Sequence, residues 1–343
     1  MRRLLLGLFH ETDAWRIPDA EVERLSREFP DLDIERADSK DGLAERIPSA
    51  EILFSWAPGE KAVARGTRLR WIHAPAAGIG AYLTPSVVQR GLTLTNSRGV
   101  HATPIAEHTL GMLVALARDF RGAIRDQLRG RLDRERWWIG SGRPVELRGR
   151  TLGLFGYGAI GREIARRAIA CGMRVIAVRR RPDAPGWDPE LLKALDLPAD
   201  EPWLDRVMGP GDLPRMLSEA DVVVIAAALT PETEGAFDAP ALRSMKRGAW
   251  LVNVARGKIV RERDLIEALR EGQVGGAALD VFETEPLPPE SELYSLENVI
   301  LTPHVSGNST GFWLRAMALF RENLRRDLAG RPLLNRVDLT RGY

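Results

Sequence analysis

Short apolar runs recur along the chain, separated by polar stretches with helical spacing. In the first hundred residues the runs at 4–9, 51–56, 69–73 and 92–96 read as strands, and residues 20–29 read as a helix with Val22, Leu25 and Phe29 on one face. A helix is predicted from Thr103, as N-cap, and Pro104 through about residue 120. Ala106, Leu110, Leu113, Val114 and Ala117 form one apolar face of it, and Ile105, Met112 and Leu116 a second, so more than one neighbour must cover it. Residues 121–147 look irregular and polar, with Trp137 and Trp138 suited to anchoring a loop at a surface, interface or site rim, and with Gly140, Ser141 and Gly142 beyond them.

A second alternating unit follows. Strands are predicted at 150–155, 173–178, 220–226, 248–254, 275–279 and 299–301, with a helix over 263–271. The run at 220–226 is continuously apolar, as in a parallel sheet covered on both faces. Between Pro182 and Pro214 lies a long polar connection containing Trp187 and Trp203, longer than a strand–helix loop needs. Residues 310–328 close the pattern as an amphipathic helix, with Phe312, Ala316, Leu319, Phe320, Asn323 and Leu324 near one side. The predicted class is α/β, with two doubly wound, largely parallel sheets.

The strand at 150–155 runs into Gly156-Tyr157-Gly158-Ala159-Ile160-Gly161 and then into helical spacing. This is the G-x-G-x-x-G arrangement. Gly156 permits the tight turn, Gly158 lets backbone approach a pyrophosphate, and Gly161 lets helix and strand pack closely. The pyrophosphate would sit on the helix N-terminus, where unpaired N–H groups favour an anion. The end of the next strand carries Arg179-Arg180-Arg181. An acid there would hold a ribose hydroxyl, whereas guanidinium groups suit a 2′-phosphate, so the expected cofactor is NADP(H), with NAD(H) still possible.

Composition adds little that is specialised. The 343 residues are 44% hydrophobic and 28% charged, with formal net charge +2, so nothing points to a nucleic-acid or membrane partner. The single cysteine, Cys171, excludes a disulfide framework, and the five histidines show no metal-ligand spacing. The N-terminal apolar run is too short for a signal peptide, and a cytoplasmic protein is expected. With no acid partner assigned to them, His101 and His108 read as structural rather than catalytic.

Three polar residues stand just beyond strand ends, where open parallel sheets place their ligand crevices: Arg256, Glu285 and His304. Hydride transfer to a 2-keto acid needs a cation for the carboxylate, a proton donor for the carbonyl oxygen, and a group that favours the donor's protonated form. Arginine, histidine and glutamate supply these.

With these residues in place, the chain resembles the D-isomer-specific 2-hydroxyacid dehydrogenases, the group containing glyoxylate/hydroxypyruvate reductases and D-3-phosphoglycerate dehydrogenases. The matching pieces run in family order over about residues 70–330: Ala77-Gly78-Ile79, Ala106-Glu107-His108-Thr109, residues 146–153, the glycine turn, Leu229-Thr230-Pro231-Glu232-Thr233, Asn253-Val254-Ala255-Arg256-Gly257, residues 278–283 and Thr302-Pro303-His304. The resemblance implies Arg256 as binder of the substrate carboxylate and carbonyl, His304 as general acid/base and Glu285 as its partner. It implies substrate contacts from the backbone at Ala77 and Gly78. It also implies a carboxamide contact from Asp280, a ring lining from Val254 and Ala255, and further cofactor contacts from Tyr157, Ala159, Ile160, Arg180, Ala227 and Gly307. It predicts a flavodoxin-like substrate domain, residues 1–100 plus 306–343, into which a Rossmann dinucleotide domain, 101–305, is inserted. Hinges are expected near 98–101 and 305–308, with a homodimer through the helix after Pro104.

Three departures bear on the reading. Arg179 replaces the strand-end acid of NAD-dependent members, Ala228 replaces the proline usual before the Leu229-Thr230-Pro231 turn, and the expectation is of a protein without a C-terminal regulatory domain. Asn308 and Trp313 are further candidates for shaping the substrate pocket. Glyoxylate or hydroxypyruvate is the expected type of substrate. The alternatives are a D-3-phosphoglycerate or phosphite dehydrogenase, or a dinucleotide-sensing binding protein of the same fold.

Overall fold

The computed structural model describes residues 2–131, 134–139, 144–183 and 187–340. The chain divides into two compact units. One comprises Met1–Val100, Trp187–Ala199 and Ser309–Tyr343, the other His101–Gly186 and Asp200–Asn308.

The first unit holds five parallel strands: β1 (Arg2–Gly7), β2 (Leu32–Arg36), β3 (Ile52–Ser55), β4 (Trp71–Ala74) and β5 (Thr93–Asn96). Their order is β2-β1-β3-β4-β5, the flavodoxin-like arrangement. The strand β2 is absent from the pattern reading because it alternates charge with apolar residues. It lies at a sheet edge, where Asp33 and Glu35 pair with Arg3 at 2.8 and 3.6 Å. The helix Phe312–Leu328 buries Phe312, Ala316, Leu319, Phe320 and Leu324 as its spacing predicts. Asn323 is buried among them and satisfied on both sides, its Nδ2 donating to Leu334 O at 3.2 Å and its Oδ1 accepting from Leu334 N at 2.7 Å.

The polar connection beyond Pro182 is structured rather than an extended loop. Asp188 caps a helix, Pro189–Ala194, that buries Leu191 and Leu192. Gly99, with φ +101°, makes room for Leu195: a Cβ at Gly99 would lie 2.4 Å from the leucine Cδ1. Glu190 pairs with Arg326 and with Arg331. Residues 187–199 therefore belong to the first unit, whereas an uninterrupted dinucleotide domain over 101–305 was expected. The last crossing falls at 308/309 instead of 305/306.

The second unit holds seven parallel strands: β6 (Thr151–Phe155), β7 (Arg174–Val178), β8 (Arg206–Met208), β9 (Val222–Ile225), β10 (Ala249–Asn253), β11 (Val274–Leu279) and β12 (Val299–Leu301). The order β12-β11-β10-β9-β6-β7-β8 reverses between β6 and β9, which is the Rossmann pattern. The strand β8, too short and polar to stand out in sequence, lies at the edge next to β7. The helix Ala102–Ala117 packs on the helix Ala159–Ala170, burying Ala106, Met112 and Leu113. Its N-cap is His101 rather than Thr103, and Pro104 follows two residues into the helix. Residues 121–147 are not irregular throughout: Phe120–Leu128 and Arg134–Trp138 are helices. Asp119 starts the first by accepting from Gly122 N at 3.1 Å. Trp138 is exposed and Trp137 half-buried, while Gly140, Ser141 and Gly142 lie outside the described residues. No helix among the described residues is long and apolar enough to cross a membrane.

Beneath the first sheet's carboxyl edge lies His73, fully buried. Ser97 Oγ donates to Ala74 O at 2.9 Å, so toward His73 Nε2, at 3.3 Å, it accepts. Thr95 Oγ1 receives Trp71 Nε1 at 2.8 Å and turns its own proton to His73 Nδ1 at 2.7 Å. This network holds the neutral ring, and burial lowers its pKa to about 3. The unfolded chain takes up the proton near pH 6.5 and the folded one does not. Stability of the first unit should therefore fall as the pH drops from about 6.5 toward 3, by up to about 1.4 kcal/mol per pH unit from this residue. Urea midpoints measured between pH 7 and pH 5 should show that slope in the natural chain. It should be much reduced in His73→Gln, and an equal slope in both would contradict the assignment.

Candidate active site

The glycine turn lies at the carboxyl end of β6, beside the point where strand order reverses. Each glycine answers a different constraint. Gly156 has φ +104°, and a Cβ there would sit 2.5 Å from Ala227 N. At Gly161 a Cβ would sit 2.3 Å from Gly156 O, so helix and strand could not close. Gly158 has nothing within 4 Å of its Cβ position and starts the helix Ala159–Ala170 without a side-chain cap. Its open face and the helix's first N–H groups make the cradle that a pyrophosphate fits. Tyr157 and Ile160 are half-buried and Ala159 is buried.

Glu201 closes one side of the turn, accepting from Tyr157 OH at 3.2 Å and Arg162 Nε at 2.9 Å. Arg179, at the end of β7, donates through Nε and Nη2 to Pro182 O at 3.2 and 2.6 Å and lies 6.0 Å from the Tyr157 ring centroid. The guanidinium thus shapes its own turn, and Arg180 and Arg181 beside it are exposed.

At the end of β10, Asn253 is buried and folds the chain back on itself. Its Nδ2 donates to Arg256 O at 3.0 Å, and its Oδ1 accepts from Ala255 N at 3.1 Å. Val254 and Ala255 are buried between them, and the exposed Arg256 donates from Nη1 to Ala255 O at 2.6 Å. Gly257 then presses on the neighbouring loop: a Cβ there would lie 1.8 Å from Phe282 C. Only glycine lets the arginine loop lie against residues 282–283.

The loop after β11 begins with Asp280, which is 0% exposed. Its Oδ1 accepts from Thr302 Oγ1 at 2.6 Å and Val305 N at 2.9 Å, and its Oδ2 accepts from Ser306 N at 2.9 Å. Its backbone carbonyl accepts from His304 N at 2.8 Å. A single residue therefore gathers the whole turn that carries His304, whose φ of 53° is a left-handed conformation a histidine rarely adopts. From that position His304 Nδ1 meets Glu285 Oε2 at 2.6 Å, and Glu285 Oε1 is held by Phe282 N at 3.1 Å. A carboxylate only accepts, so Nδ1 carries the proton and Nε2 faces outward for exchange. Side-chain exposure of 46% for His304 and 35% for Glu285 leaves the pair open to a ligand.

The second unit thus assembles Asp280, Glu285 and His304, with the Arg256 loop packed alongside through Gly257. The carboxylate expected to meet a nicotinamide carboxamide, that of Asp280, is engaged by three internal donors and holds the turn. Gly307 closes the turn, its carbonyl 3.0 Å from His101 Nδ1. Ala227 is half-buried beside Gly156. Ala77 and Gly78 belong to the first unit, where they follow β4 and are exposed. Asn96 Nδ2 fixes that loop by donating to Ala77 O at 2.9 Å. Asn308 is exposed, and Trp313 is buried, donating from Nε1 to Ala14 O at 3.0 Å. The anchors Asn253, Gly257 and Thr302 carried no role in the pattern reading. Asn253 acts within its own turn, Gly257 through an absent Cβ, and Thr302 through partners far away in sequence.

Comparison with known proteins agrees with this geometry. Residues 110–306, more than half of the chain, match the family model for the D-isomer specific 2-hydroxyacid dehydrogenase NAD binding domain. A glyoxylate reductase of Korarchaeum cryptofilum is 32% identical over 90% of this chain and 89% of that protein. The D-3-phosphoglycerate dehydrogenase of Methanocaldococcus jannaschii is 30% identical over 92% of this chain, which spans 57% of that longer protein. A crystal structure of a D-isomer specific 2-hydroxyacid dehydrogenase from Xanthobacter autotrophicus Py2, in complex with NADPH and MES, superposes with TM-score 0.78 at 30% identity, covering 100% of this chain and 99% of that one. The chain belongs to the D-isomer specific 2-hydroxyacid dehydrogenase family, a family of oxidoreductases.

Proposed function

We propose that this protein is an NADPH-preferring reductase of small 2-keto acids, of the glyoxylate or hydroxypyruvate type, giving D-2-hydroxy acids. The observation that carries the reading is the 2.6 Å contact between His304 Nδ1 and Glu285, made by a histidine held in a strained backbone conformation. Backbone strain of this kind clusters at functional sites, and here a buried carboxylate fixes it so that the ring is positioned for acid/base work. His304 gives a proton from Nε2 to the substrate's carbonyl oxygen, and Glu285 supports the imidazolium. Arg256 pairs with the substrate carboxylate through its exposed guanidinium. A bound nicotinamide dinucleotide supplies the hydride. Gly156, Gly158 and the start of the helix Ala159–Ala170 hold its pyrophosphate, with Val254 and Ala255 beside the ring. The second unit is accordingly the dinucleotide domain and the first the substrate domain, where the backbone at Ala77 and Gly78 meets the substrate carboxylate.

Support for NADP(H) comes from the cations at 179–181 and from the NADPH bound by the Xanthobacter autotrophicus relative. A substrate without a phosphate is favoured by two of the first unit's strand ends, those of β3 and β4. Trp56-Ala57-Pro58-Gly59 after β3 and Pro75-Ala76-Ala77-Gly78 after β4 contain no cation for a phosphate dianion. Assembly as a homodimer is supported by the helix Phe120–Leu128, which exposes Phe120, Ile124 and Leu128 (49%, 57% and 83%) at four-residue intervals.

Following NADPH absorbance against a panel of 2-keto acids tests the reaction, and absence of turnover on every member would sink it. His304→Ala should lower kcat by roughly 10²–10⁴-fold while NADPH binding, read by fluorescence, persists. Arg179→Asp should move preference from NADPH toward NADH, and an unchanged ratio of the two kcat/KM values would remove the cofactor assignment. Light scattering should give a dimer for the natural chain and a monomer for Ile124→Glu/Leu128→Glu. A natural chain that is already monomeric would contradict the interface.

A further inference from the structure

Two histidines outside the reacting set lie on one helix and touch both ends of the His304 turn. His101 caps the helix Ala102–Ala117, and its Nδ1 lies 3.0 Å from Gly307 O. His108, two turns further on, places Nε2 3.1 Å from Thr302 Oγ1. The partners fix the proton positions. A carbonyl only accepts, so His101 donates from Nδ1. Thr302 sends its one hydroxyl proton to Asp280 Oδ1 at 2.6 Å, so it accepts from His108 Nε2. The chain of donors is therefore continuous. His108 fixes Thr302, Thr302 fixes one oxygen of Asp280, and that carboxylate takes the N–H groups of Val305 and Ser306, the two residues that follow the strained His304. His108 also lies 3.9 Å from Asp280 Oδ1, and the carboxylate is fully buried, where a lost donor is not replaced by water.

We propose that His108 is a positioning residue for His304, acting through Thr302 and Asp280, so that the helix Ala102–Ala117 sets the aim of the acid/base. This rests on the reading of His304 as proton donor. Losing the link lets the turn relax and moves Nε2 off line without touching the glycine cradle.

Three variants test it: His108→Leu, which removes the donor; His108→Gln, whose amide can donate from nearly the same place; and Thr302→Val, which deletes the hydroxyl at constant shape. Leu at 108 and Val at 302 should each lower kcat by roughly 10- to 100-fold, as a displaced reacting group does. KM for NADPH should stay within about twofold of the natural chain. Gln at 108 should recover most of the loss, and the double variant His108→Leu/Thr302→Val should be no slower than the slower single, because both cut one chain. Equal kcat in His108→Leu and the natural chain, or additive losses in the double variant, would overturn the proposal. A second measurement does not need turnover: the NMR resonance of the Nδ1 proton shared by His304 and Glu285. It should move upfield or broaden in His108→Leu and Thr302→Val and be restored in His108→Gln. An unmoved resonance rejects the positioning role. A natural chain that reduces no 2-keto acid while the resonance responds as described rejects the proposed reaction and leaves the link intact.

Discussion

The buried carboxylate of Asp280 is the constraint on which the candidate site depends. An ionised group taken out of water is costly unless its lone pairs are filled, and here three donors fill them, all from residues 302–306. The arrangement works in both directions. The turn satisfies the carboxylate, and the carboxylate holds the turn in a shape that His304 would not adopt alone, at a cost of about 1–3 kcal/mol for the strained residue. Glu285 can then be met at 2.6 Å by a ring whose direction is set by backbone, not by rotamer choice. The turn is held by a polar group that is hidden rather than displayed.

A second set of constraints concerns space. Gly156, Gly161 and Gly257 are places where backbone meets backbone so closely that a Cβ would lie 2.5 Å or less from a neighbouring atom. Two of them close the glycine turn, and the third locks the Arg256 loop onto the loop of Glu285. Gly158 differs, with open space where the others have contact. That contrast matches the division of roles that the motif predicts, packing at Gly156 and Gly161 and open space at Gly158.

Much of this was legible in the chain. The apolar runs marked ten of the twelve strands among the described residues because interior parallel strands are apolar on both faces. The two that escaped, β2 and β8, are edge strands with charged residues. The glycine turn, Arg256, Glu285 and His304 were also visible, since each needs a particular residue type just past a strand. The rest depends on long-range contacts. Thr302 and His108 are 194 positions apart, and no local pattern predicts their hydrogen bond. The helix Pro189–Ala194 was hidden for a similar reason: it is short and polar, and its buried leucines are covered by the first unit although it lies in sequence between β7 and β8.

The strand ends of the second unit share a division of labour. Asn253 at the end of β10 and Arg179 after β7 each turn a polar side chain back on the loop they begin, while Asp280 after β11 turns its side chain onto the neighbouring loop after β12. The outward-facing groups come later: Arg256 three residues past Asn253, Glu285 five past Asp280, Arg180 one past Arg179. A strand end is fixed by its ladder, so a side chain there can define a loop accurately. A residue further along can then be both exposed and well aimed. A strand-end side chain thus builds a loop, and the exposed groups stand further along it.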